Sequence, residues 1–191
     1  MKLHKCIPIA LLLGSVATLA SENAREEMAM KKEGVEYIKM LGGALKGELQ
    51  AKFKSDQSGL SAMAFCATQA TEITQSVNAK LPAYASVRRT ALKTRNESNL
   101  PDATDKKVME AYEASIAAQT FHPDDIKIVE DGSTTRVYKP LMTDGVCLKC
   151  HGDHIAPEIQ KVIDAHYPHD KAVAFKAGSL RGVIVAEIKK H

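Results

Sequence analysis

The sequence predicts an α+β domain: a small antiparallel sheet with helices gathered ahead of it. Three observations predict it. Helical periodicity fills much of the first 80 residues, a strand–turn–strand pattern occupies residues 126–141, and an alternating segment closes the chain. Strands spaced closely by hairpins and helices suit one antiparallel sheet. The 191 residues, 45% hydrophobic and 26% charged, suit one domain with an appended helix, large enough for a core without disulfide staples.

Residues 1–20 read as a signal peptide. Lys2 and Lys5 form a positive start, Ile7 to Leu13 with Val16 and Ala17 a short apolar stretch, and Thr18-Leu19-Ala20 a small-residue cleavage site. The apolar run falls short of the ~20 residues that span a bilayer, and no later stretch approaches that length. Cleavage near Ala20 implies a periplasmic protein with no membrane span. It also removes two lysines, leaving 24 Lys+Arg against 23 Asp+Glu, so the net charge falls from +3 to about +1. Near-neutral, mixed charge argues against a nucleic-acid partner.

Residues 21–57 form the predicted N-terminal amphipathic helix and its exit. Val35, Ile38, Leu41, Leu45, Leu49 and Phe53 recur at three- and four-residue steps between about Glu22 and Lys54. Gly42, Gly43 and Gly47 weaken that helix by roughly 1 kcal/mol each relative to alanine, which points to close packing or a bend. Ser55 to Gly59 is a break. Residues 58–191 then form the main domain.

Its first helix is predicted from Leu60 to Leu81, ended by Pro82. Met63, Cys66, Ala70, Ile73 and Val77 make one buried stripe, with Thr68, Glu72, Ser76 and Lys80 on the other side. Tyr84 to Leu92 alternates like a strand, and Lys93 to Asp102 has loop composition. Ala103 to Gln119 reads as a helix whose inner side holds Val108, Ala111, Tyr112, Ile116 and Met109. A hairpin follows, Ile126 to Val129 and Thr134 to Leu141 about Asp131-Gly132. A short helix near Pro157 to Ala165 precedes a terminal strand from Arg181 to Lys189.

Chemistry concentrates in Cys147-Leu148-Lys149-Cys150-His151. Cys-x-x-Cys-His is the attachment sequence of a c-type haem. Two thiols three residues apart sit about one helical turn apart, within reach of the two vinyl groups on one porphyrin edge. The next residue, His151, is then delivered as the proximal iron ligand. The competing readings are half of a zinc site, with Cys66, His154 or His122 completing it, or a redox dithiol. The second normally sits early in a βαβ unit, not in the last quarter of a chain. The sequence therefore calls for one covalent haem c.

With Cys6 removed, three cysteines remain, and pairing 147 with 150 on a haem leaves Cys66 without a partner. The sixth iron position stays open among Met63, Met109, Met142, His122, His154, His166, His169 and Cys66. Arg88, Arg89, Lys93 and Arg95 are either a solvated strand end or, for Arg88, Arg89 and Arg95, partners of the two haem propionates, for which the guanidinium fork is suited. Phe65, Tyr84, Phe121, Tyr138, Tyr167 and Phe175 supply flat apolar walls in a chain with no tryptophan.

Several stretches together resemble one family. They are AMAFCATQATEI (62–73), VRRTALKTRNESNLPD (87–102), RVYKPLM (136–142), CLKCHG (147–152) and YPHDKAVAFKAGSLRGVIV (167–185). They are similar, in order, to the small c-type haem domains of PAS-like fold, found as exported single-domain proteins in cyanobacteria and as sensor modules of bacterial histidine kinases and chemotaxis receptors. The resemblance implies a PAS-like antiparallel sheet and a His/Cys axial pair, with Cys66 as the distal iron ligand beside His151. Members that signal carry a membrane anchor and an output domain, neither of which follows the haem domain here, so signalling would require a separate partner protein.

The expected function is binding, not catalysis: a redox sensor or a sensor of NO or CO. The alternative is a low-potential electron-transfer cytochrome with its own redox partner. No motif places a distal acid–base histidine for a peroxidase.

Overall fold

The computed structural model describes residues 13–190, with side chains from Glu22 onward. The fold is α+β as expected. A 43-residue helix α1 (Leu13–Ser55) is followed by α2 (Leu60–Thr68) and α3 (Ala70–Asn78). Strand β1 (Ala85–Thr90), helix α4 (Ala103–Ala117), β2 (Lys127–Asp131) and β3 (Thr134–Met142) come next. The one-turn helix α5 (Leu148–His151), α6 (Pro157–His166) and β4 (Leu180–Lys189) complete the chain. The four strands form one antiparallel sheet in the order β1-β4-β3-β2.

The signal-peptide segment lies outside the described residues up to position 12, and from Leu13 its remainder forms the first turns of α1. Among the described residues, no helix is long and apolar enough to cross a membrane.

The strand register sorts side chains onto two faces, because directly opposed residues share a face. Val87, Val137, Ile184 and Ala186 point one way and meet Ile38, Leu41 and Leu45 of α1 with Phe65, Ala70 and Val77 of α2 and α3. Gly34 permits this contact: a Cβ there would sit 2.6 Å from a Val137 methyl. The opposite face carries Tyr138, Val183 and Val185 against Val108, Met109 and Tyr112 of α4. At the edge of the sheet, the Asn78 amide both donates to Val87 O and accepts from Val87 N, each at 2.8 Å.

Two elements differ from expectation. The single helix expected over residues 60–81 is broken at Gln69. The Thr68 hydroxyl bonds back to Ala64 O at 2.9 Å, a side-chain competition that bends helices. The expected stripe nevertheless keeps Thr68, Glu72, Ser76 and Lys80 exposed. On α4, Ala111 is exposed and Asp105 is fully buried instead. The inner stripe is 105, 108, 109 and 112, because polar partners draw Asp105 inside.

Those partners make a charged network on the α4 face. Asp105 accepts from Arg88 (2.9 Å) and from the Tyr138 hydroxyl (3.0 Å), and closes a reciprocal cap with Asp102 at the start of α4. Arg88 also reaches Glu187 at 2.8 Å. Asp105→Ala leaves the Tyr138 hydroxyl and the Asp102 N–H without their acceptor, while Arg88 keeps Glu187. A loss of about 3 kcal/mol is expected, at the upper end for orphaned buried polar groups. Urea unfolding checks it: the midpoint falls with unchanged slope, whereas a wild-type midpoint would refute the role given to Asp105.

Candidate functional site

The Cys-x-x-Cys-His segment leaves β3 through a tight turn. Cys147 N donates to Asp144 O at 2.9 Å, and α5 carries Leu148 to His151. Gly152 closes it because its N–H returns to Leu148 O, and a Cβ there would meet that oxygen at 2.6 Å. Cys147 is half-buried. Cys150 is buried among Met63 of α2 and Ile159 and Ile163 of α6, and Cys66 packs against that same cluster. Cys66 and one thiol of the pair, Cys150, are thus brought together from distant parts of the sequence. Burial and the neighbouring Cys66 push the Cys150 thiol up to about 11. Burial also pushes the Cys66 thiol up, against the opposing pull of Arg89, Arg95 and Arg181.

His151 is held by its ring. Nδ1 lies 2.7 Å from Ala172 O, and a carbonyl only accepts, so Nδ1 carries the proton and Nε2 keeps its lone pair. Burial and the nearby Arg181 and Arg95 hold the imidazole down to about 3, neutral at ordinary pH. Phe175 packs edge-on against it, with ring centroids 6.1 Å apart. This is the state a metal-ligating histidine requires.

Of the residues nominated for the sixth position, only Met63 and Cys66 lie in the cluster with Cys150, spaced i, i+3 on α2. Met109 and Met142 belong to the α4 face. His122, His154, His166 and His169 are exposed. The Met63 sulfur accepts a contact from Arg95 Nη1 at 3.5 Å.

The arginines divide differently from the sequence reading. Arg88 is on the opposite face of the sheet, bound to Asp105 and Glu187, and is not brought to the thiols. This corrects its nomination as a propionate contact; alternation along β1 sends neighbouring side chains to opposite faces. Arg89 faces the site. Its Nε is buried and has no hydrogen-bond partner among the described residues, and burial lowers its pKa. Arg95 is 8% exposed and already committed, with Asp170 at 2.9 Å and Cys150 O at 2.6 Å.

Arg181 was missed by sequence reasoning, which saw only a strand start. The β3–β4 register slips between Leu141 and Met142, pairing Leu141 with Gly182 but Met142 with Leu180. The extra residue inverts the alternation: Leu180 joins the α4 face, and Arg181 turns towards Arg89 and Arg95. Its guanidinium lies 5.0 Å from the Phe175 ring centre, and Lys93 Nζ lies 4.7 Å from that centre. Gly182 permits the close approach, since a Cβ there would be 2.5 Å from Thr90 O. Burial with Arg95 and Arg89 nearby holds Arg181 down to about 10.

Three guanidiniums therefore face this cluster, and Asp170 is the carboxylate paired with one of them. Such a surplus of enclosed positive charge, with one donor orphaned, suits an anionic guest. Two carboxylates of a porphyrin meet that description, and the thiol pair and neutral imidazole meet the rest of a c-type haem's needs. A cleft of about 510 Å³ lies beside Gly152 and Tyr167 and is lined by Asp153, Asp164 and Asp170, not by the thiols. Its carboxylates would repel propionates, so it is not the place for them.

A family model described as Tll0287-like matches residues 14–188. Among solved structures, the chain is similar to the cyanobacterial heme-protein Tll0287, at 23% identity and a TM-score of 0.60, over 87% of this chain and 96% of that one. No curated protein matches.

Proposed function

For this chain, which belongs to the Tll0287-like family, we propose a role as an exported mono-haem c-type protein that senses redox state or a diatomic gas such as NO or CO. Cys147 and Cys150 would hold the haem as thioethers. Each S–H would add across a vinyl group, its hydrogen ending on the adjacent carbon, so the attachment would need no oxidant and release no leaving group. His151 Nε2 and the Cys66 sulfur would be the axial ligands, with Arg89 and Arg181 receiving the propionates. When bound, the haem supplies an iron that exchanges one electron and offers a coordination position to a small ligand.

The observation that carries this reading is that α2 brings Cys66 into the buried cluster of Cys150, beneath arginines of which one, Arg89, has a buried Nε with no hydrogen-bond partner among the described residues. Cys66 also packs against the core that holds α1 to the sheet. A shift of α2 therefore bears on α1, whose residues 22–29 are exposed and available to a separate signalling partner in the periplasm. The second reading, a low-potential electron-transfer cytochrome, is favoured by Val146, 45% exposed beside half-buried Cys147, which leaves an edge for electron exchange.

EPR of the oxidised protein tests the ligation: a low-spin thiolate signature is expected, and a His/Met or bis-His signature would overturn it. CO added to the reduced protein separates the roles. A rapid spectral shift supports the sensor, and unchanged six-coordinate spectra leave electron transfer standing.

A further inference from the structure

We infer that residues 167–172 form a strap that positions both proposed axial ligands, with Arg95 and Asp170 setting His151 and Tyr167 setting Cys66. The inference rests on the ligation proposed above and adds the residues that orient it. None of Arg95, Asp170 and Tyr167 touches the iron in this scheme; they are positioning residues.

The His151 half is a closed set of bonds. The Ala172 carbonyl that takes the imidazole Nδ1–H also accepts from Arg95 Nη2 at 3.3 Å. Asp170 fixes the residue that bears this carbonyl from its other side, because its Oδ1 accepts from Ala172 N at 2.8 Å while its Oδ2 accepts from Arg95 Nε at 3.1 Å. The same Arg95 Nη2 donates to Cys150 O, next to His151 in the chain, at 2.6 Å. Lys171 N bonds Thr94 O at 2.9 Å, which ties the strap to the loop that carries Arg95. One guanidinium thus grips both the segment that bears the imidazole and the carbonyl that orients it. Reaching both carbonyls through Nη2 while Nε holds Asp170 takes the guanidinium fork; an ammonium supplies the charge without it.

The Cys66 half is a single bond. Tyr167 Oη donates to Cys66 O at 3.0 Å. That carbonyl lies in the last turn of α2, where helical carbonyls lack regular partners, and just ahead of the break at Gln69. The strap therefore holds the backbone of Cys66 at one end and the ring of His151 at the other, across six residues.

Purified full-length protein with covalent haem tests each half separately. Arg95→Lys retains the positive charge, so a purely electrostatic role would leave the ferric EPR spectrum unchanged. The expected result is loss of the single low-spin species in favour of several, as the imidazole takes more than one orientation. Asp170→Asn is expected to do the same if Arg95→Lys fails to fold. A single wild-type species in the variant overturns the His151 half.

For Cys66, exogenous imidazole is titrated against the ferric protein to displace the sulfur. Tyr167→Phe is expected to lower the midpoint concentration on the order of fivefold, the change one ordinary hydrogen bond supports. An unmoved midpoint overturns that half. The ligation itself is judged on the wild-type spectrum, and the strap only on the difference between wild type and variant, so the two failures are distinguishable.

Discussion

Replacing Cys147 and Cys150 together by alanine is expected to leave no haem that survives acid–acetone extraction. The expected effect is large because the substitution would remove covalent bonds, not contacts. In the proposed attachment each thioether would come from one sulfur of the pair, Cys150 on α5 and Cys147 at its N-cap, one turn apart. The folded chain should tolerate the change, since Cys147 is only half-buried and Cys150 loses a single sulfur from a cluster that retains Met63, Ile159 and Ile163. The measurement is the absorbance of the extracted protein after export into an oxidising compartment with haem available. Colour that stays with the polypeptide would sink the assignment of both thiols. Either single variant should keep one thioether and therefore keep part of the colour, an internal control for expression.

Cys66→Ala is expected to retain covalent haem while changing the oxidised spectrum and raising the reduction potential. A thiolate donates electron density and stabilises the ferric state, so its removal shifts the balance towards ferrous iron. A rise on the order of a few tenths of a volt is reasonable, against the ~0.8 V that axial ligands span. The protein holds the thiol in two opposing influences: burial disfavours the anion, and Arg89, Arg95 and Arg181 favour it. If spectrum and potential both remain as in the wild type, Cys66 is not the ligand. Met63 is then the candidate to change next, because it is the other nominated residue in the Cys150 cluster.

Much of the fold was legible because its signals are periodic. The hairpin, the terminal strand and the α1 and α2–α3 stripes fall where apolar spacing puts them, within a residue or two. Asp105 was not legible. A charged residue between loop and helix reads as solvated, and nothing local reports that Arg88 and Tyr138, 17 and 33 residues away, make it a buried acceptor. Arg181 was hidden for a related reason. Its direction depends on a register slip between β3 and β4, which is a property of the pair of strands and leaves no mark in either one. The thiols and His151 were read from spacing alone, but the Ala172 carbonyl that sets the imidazole is a backbone group, invisible to residue identity. Arg88, Arg89 and Arg95 looked equivalent as a basic run; the pleat of β1 and the turn after it send them to three different tasks.

The Asn78 amide at Val87 has a meaning for the protein in company. β1 is an outer strand of the sheet, and an outer strand is an open template on which another chain can add itself. The amide, donating and accepting at the middle of β1, imitates one residue of a neighbouring strand and ends the ladder there. A crowded chain is thereby guarded against self-association along that edge. The guard is a side chain from the helix immediately preceding the strand, in place as soon as α3 and β1 meet.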